Sequence, residues 1–134
     1  MSSLSEASTE LILEQAFKRP PPPSVIYLQQ LHGAAARVQP KDTAYPHRFY
    51  HYDCGLWAIW QDSADTEKCI RWTRDGWEAL RSFFEPFVYV NVLSDDIDER
   101  IRAAYGPNYE RLVVLKNKYD PTNFFRVNQN IRPA

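Results

Sequence analysis

The chain has 134 residues, with sixteen Lys and Arg against seventeen Asp and Glu and a hydrophobic share of 44%. These values suit one folded domain with one core and exclude a disordered tail, a fibrous rod, and a partner held by net positive charge such as nucleic acid. No apolar run nears the ~20 residues that span a bilayer, so the sequence reads as a soluble, cytoplasmic protein without a membrane partner. Two cysteines, Cys54 and Cys69, stand in no metal-binding spacing and read as free thiols, so no metal is expected.

Ser3 to Glu6 has the form of a capping box, which predicts an N-terminal helix within residues 1–19 carrying Ile12, Leu13, Ala16 and Phe17 on its apolar face. The proline run 20–23 stops it and reads as a connector. Val25 to Leu28 suit a strand, and Gly33 offers a turn into a second strand through Ala36, Arg37 and Val38. Phe49 to Trp60 reads as one long aromatic strand with a bulge at Gly55. A helix of about twenty residues follows, presenting Ile70, Trp77, Leu80 and Phe84, and Pro86 ends it. Phe87 to Leu93 alternates as a fourth strand, with Val88, Val90 and Val92 facing the core and Tyr89 and Asn91 on the other side. Ile97, Ile101 and Ala104 space a short helix, and Leu112, Leu115 and Tyr119 a last one, before a tail pinned by Phe124, Phe125 and Ile131.

The resulting fold class is α+β, an antiparallel β-sheet of about four strands with α-helices packed on one face, as a single domain over 1–134. Its parts are the helix of 1–19, the connector 20–23, the sheet with its inserted helix over 24–93, and the C-terminal helices and tail over 94–134. Both faces of the long strand are aromatic, so a second copy, a ligand or another protein must cover the face away from the helices.

Several segments together carry a resemblance: Tyr45-Pro46-His47-Arg48, Tyr89-Val90-Asn91, Tyr105 to Leu112, Lys116 to Phe125 and Arg126 to Ile131. They resemble the C-terminal part of the berberine bridge enzyme-like FAD-linked oxidases, and His32 to Arg37 resembles the Gly-Gly-led strand lying over the flavin in that family. The resemblance implies an antiparallel sheet, backed by helices, whose open face roofs the isoalloxazine ring. It also implies active-site positions at Tyr89 and Asn91 and flavin contacts at Asn128 and Gln129. The family's large nucleotide-binding domain has no counterpart before Ser24, and the family's carboxylate base falls here on Arg37. FAD is therefore expected by resemblance only, with none bound by the isolated chain.

Chemistry of the side chains adds candidates. Tyr89, Arg37, Asp53 and His47 are the catalytic set: a hydroxyl, a fixed cation, a carboxylate that needs a partner if buried (Arg37 being one choice), and an imidazole that titrates near neutrality. Asn91, Tyr52, Trp57 and His32 are the substrate-binding set. For His47 and His32 a structural or merely solvated role is the competing reading, and for Tyr89 a buried, satisfied hydroxyl. The reading favoured is a stand-alone domain that binds a hydrophobic small molecule as a flavin-independent cyclase or isomerase of specialised metabolism, and forms a homodimer. The alternative is a subunit or fragment of an FAD-linked oxidoreductase that completes a flavin site with a separate flavoprotein, or a non-catalytic dimerising module.

Overall fold

A computed structural model describes residues 1–93, 98–127 and 129–134. The chain divides into two compact units, Met1–His32 with Tyr50–Glu85 and Gly33–Phe49 with Pro86–Ala134.

The first unit is built on one helix pair and one strand pair. Helix α1 spans Glu6–Phe17 and starts at Ser5, not at Ser3. The Ser5 hydroxyl accepts from the Ser8 amide at 3.1 Å while the Ser8 hydroxyl accepts from the Ser5 amide at 2.9 Å, so a Ser-Ser pair closes the capping box. Strands β1 (Val25–Leu31) and β2 (His51–Trp57) pair antiparallel with Leu28 opposite Cys54. Gly55 sits in regular register opposite Tyr27, so the expected bulge is absent. Helix α3, Thr66–Leu80, follows β2 and runs on into a 3-10 turn over Arg81–Phe83. Its buried face is Cys69, Trp72, Gly76 and Leu80, spaced at whole helical turns, and Trp77 from the expected face instead stacks on Phe84 near the surface at 5.0 Å. The indole of Trp72 donates to the Gln15 carbonyl of α1 at 3.0 Å. Bare Gly76 lets Leu56 of β2 approach. Ile26, Tyr52, Cys54 and Leu56 thus face the core of Met1, Ile12 and Leu80, with both helices on that side of the sheet.

The second unit holds the rest. Helix α2, Ala34–Arg37, replaces the expected second strand. Three alanines favour helix over strand, and Gly33 takes a φ of 58°, which a side chain would resist. The fourth expected strand is also absent, since Val90–Val92 forms a 3-10 turn closed by the Val92 amide on the Tyr89 carbonyl at 3.0 Å. Alternating valines suit a pleated surface, but they hold a strand only beside a neighbour to bond with. Among the described residues the sheet has two strands, not four. Val88 and Val90 still pack on Leu93, Ile101 and Ala104, whereas Val92 is exposed. Helix α4 spans Asp98–Tyr105 and helix α5 Tyr109–Tyr119; Ile97, expected on the first of these, lies outside the described residues. The tail is not pinned as expected, because Phe124 and Phe125 are each 75% exposed. Asp120 holds it instead, accepting from the amides of Phe124 and Phe125 at 2.7 and 3.1 Å and from Lys116.

Candidate functional site

The antiparallel register collects one cluster on the face of β1 and β2 turned away from α1 and α3. The Tyr27 ring lies across bare Gly55 between Asp53 and Trp57, the two residues flanking its cross-strand partner on that face. Its hydroxyl donates to the Asp53 carboxylate at 3.0 Å, and its ring meets Trp57 edge-on at 5.6 Å. Burial, reinforced by the negative charge of Asp53, pushes the Tyr27 hydroxyl up to about 12, so at neutral pH it stays protonated and donates. Trp57 is half exposed and offers an apolar wall beside this polar pair. Such a group can accept a hydrogen bond or a proton from a ligand hydroxyl at Asp53 while the ligand rests on the indole.

The sequence marks Asp53 and Trp57 but not Tyr27. Strand pairing puts that tyrosine there, and the one signal for it is an aromatic residue facing a glycine across the register. Tyr52, a substrate-binding candidate, lies on the other face, where its hydroxyl accepts from Gln30 at 3.2 Å. Cys54 shares that inner face, and burial first, then the charge of Asp53, raises its thiol to about 11, which leaves it protonated and unreactive. His32 ends this unit as an exposed side chain.

In the second unit the remaining candidates gather around the Tyr45-Pro46-His47-Arg48 segment. His47 is buried, stacked on Phe87 at 4.0 Å, with its Nε2 on the Ala104 carbonyl at 3.1 Å. A carbonyl only accepts, so this nitrogen carries the proton and acts as a tether. Tyr45 meets both His47 and Tyr89 edge-on, at 5.5 and 5.7 Å, and the Arg48 guanidinium covers its ring at 5.0 Å. Tyr89 and Asn91 come together although no strand forms, since the Asn91 amide donates to the Tyr89 hydroxyl at 2.7 Å. Arg37 closes α2 as an exposed cation. The partner that Asp53 has is Tyr27, within its own unit.

The flavin contacts that the resemblance implies are Asn128 and Gln129. The Gln129 side-chain amide is turned onto the Leu93 carbonyl at 2.6 Å, and Asn128 lies outside the described residues. Beside Gln129 a groove of about 270 Å³ runs between α5 and the tail, lined by Tyr105, Leu112, Lys116 and Ile131. That volume is below the roughly 300 Å³ at which pockets for drug-sized ligands begin. Among the described residues, no three His, Cys, Asp or Glu side chains converge as metal ligands, and no helix is long and apolar enough to cross a membrane.

Comparison with known proteins decides the relationship. Residues 88–132 match the family model described as berberine and berberine like. The chain resembles part of the berberine bridge enzyme-like FAD-linked oxidoreductases. It is 32% identical over 133 residues to the uncharacterized FAD-linked oxidoreductase YgaK of Bacillus subtilis, a match covering 97% of this chain and 29% of that one. It is 27% identical over 152 residues to cannabidiolic acid synthase-like 1 of Cannabis sativa, covering 97% of this chain and 27% of the relative. A variant of the Physcomitrella patens BBE-like 1 protein has the same fold, with a TM-score of 0.78 at 23% identity over 98% of this chain and 28% of that one. The chain thus spans under a third of the length of these relatives. Their kinship favours the alternative of an FAD-linked oxidoreductase fragment, and nothing in it supports a cyclase or isomerase.

Proposed function

We propose that this chain forms a substrate-facing wall of an FAD-linked oxidoreductase whose flavin is held by other polypeptide. The observation that carries the reading is alignment of nearly the whole chain with part of FAD-linked oxidoreductases, joined to a sheet whose outer face gathers Tyr27, Asp53 and Trp57. The relatives' cofactor comes to this chain by kinship, and the work of its own residues is to place the substrate.

On this reading the ligand is a hydrophobic small molecule that carries a hydroxyl. Trp57 receives its apolar body, Asp53 accepts its hydrogen bond, and Tyr27 fixes the carboxylate by donating to it. In the other unit Asn91 donates to the Tyr89 hydroxyl, and His47 serves to hold that unit together. A direct test is titration of the purified chain with vanillyl alcohol, followed by tryptophan fluorescence. Saturable quenching that disappears in Trp57→Phe and weakens at least tenfold in Asp53→Asn is expected. No saturable quenching, or quenching unchanged in both variants, would overturn the assignment.

A further inference from the structure

Gln29 stands directly across from Asp53 in the register of β1 and β2, as Tyr27 stands across from Gly55. Directly opposed residues of an antiparallel pair share a face and hold their Cβ atoms about 5 Å apart. Gln29 therefore stands beside the Asp53 carboxylate on the outer face, and Tyr27 reaches that carboxylate from the next position of the same face of β1. The two carboxylate oxygens differ. Oδ2 accepts from the Tyr27 hydroxyl at 3.0 Å, and among the described residues Oδ1 meets no donor. The exposed Gln29 side chain has no hydrogen-bond partner among them either, whereas Gln30, on the other face, donates its amide to the Tyr52 hydroxyl at 3.2 Å.

An ionised carboxylate only accepts, and a glutamine amide can donate. Opposed on an exposed face, the two side chains offer one ligand an acceptor and a donor at once. Glutamine is one methylene longer than aspartate, so its amide stands farther from the sheet. It reaches past an atom seated on Asp53 to that atom's neighbour. The pair thus matches a head group in which a hydroxyl and a second oxygen sit on adjacent carbons, and the negative charge of Asp53 disfavours a head that is itself anionic.

We infer that Gln29 is a specificity-determining residue of this face, selecting neutral ligands whose hydroxyl has an oxygen on the adjacent carbon: a catechol, an ortho-methoxyphenol or a 1,2-diol. The ligand hydroxyl donates to Asp53 Oδ1, and the adjacent oxygen accepts from the Gln29 amide. A ligand without that second oxygen covers the amide and leaves its N–H groups unpaired, which weighs against it. The inference rests on the reading of this face as the substrate wall, and adds to it the contact that tells one hydroxyl compound from another.

The test is calorimetric titration of the 134-residue chain with two probes that differ in one group: vanillyl alcohol, an ortho-methoxyphenol, and 4-hydroxybenzyl alcohol, which lacks the methoxy oxygen. Vanillyl alcohol is expected to bind at least fivefold more tightly. Gln29→Leu removes the amide and Gln29→Asn draws it back by one methylene. Either should erase the difference between the two alcohols by weakening vanillyl alcohol, and an exposed position tolerates both changes. Asp53→Asn should weaken both alcohols together. Equal affinity for the two alcohols in the parent, or a preference that survives both Gln29 variants, would overturn the inference, while an effect of Asp53→Asn leaves the substrate wall standing. Binding of neither alcohol, or binding that Asp53→Asn does not change, would overturn that wall and the inference with it.

Discussion

Gly55 is where the candidate site depends on the absence of a side chain. A Cβ there would stand 2.3 Å from the Tyr27 ring, so the ring must swing away and its hydroxyl must leave Asp53. Gly55→Ala should cost about 1–3 kcal/mol, in the range of overpacked sites, and the loss should shrink when Tyr27→Ala is added. Denaturant midpoints of the two variants and their combination check this. The same tyrosine gives a pH prediction. Its folded pKa of about 12 lies above the usual 10, so folding favours the protonated hydroxyl. That contribution is complete below about pH 10 and is lost as pH rises through the folded value. Spectrophotometric titration should show a late phenol in the parent that is missing in Tyr27→Phe. Alternation alone places Asp53 and Trp57 on one face, so that part of the site is legible in the sequence. Tyr27 is not, because the residue opposite a glycine is known only once two strands are in register.

Elements follow the sequence where local and tertiary demands agree. The N-terminal helix, the strands Val25–Leu31 and His51–Trp57, and the helix after them form near their expected places. The alternating Phe87 to Leu93 segment does not become a strand, since periodicity says which face a residue would take but not whether a neighbour exists to bond with. The helix α3 face was obscured by its tryptophans: Trp72 is taken inside by the Gln15 carbonyl and Trp77 is left outside. Leu80 is completely buried between α1 and the sheet, and Leu80→Ala should cost about 2–5 kcal/mol in thermal or denaturant unfolding. The tail depends on a carboxylate. Lys116's hydrogen bond first, then the amides of Phe124 and Phe125, hold Asp120 below its usual carboxylate range against the opposing effect of burial. A depressed pKa stabilises the turn above the unfolded value of about 3.9 and loses that stabilisation as pH falls through the folded one. The Phe124 and Phe125 amide resonances should hold steady at neutral pH and move only in acid, and Asp120→Asn should abolish that transition.

At the scale of the molecule, the residues that carry the family resemblance do not coincide with the residues that form the clearest ligand face. The family model covers 88–132, within the second unit, whereas Tyr27, Asp53 and Trp57 belong to the first. The proposed substrate contacts rest on the first unit and the family match on the second. A chimera in which these 134 residues replace the matched region of YgaK tests that directly. Expected is a soluble protein that retains FAD one to one, with a flavin absorbance bleached by vanillyl alcohol and a slower bleaching when Asp53→Asn is introduced. A chimera that folds but holds no flavin, or one whose flavin is reduced equally fast with and without Asp53, would contradict it.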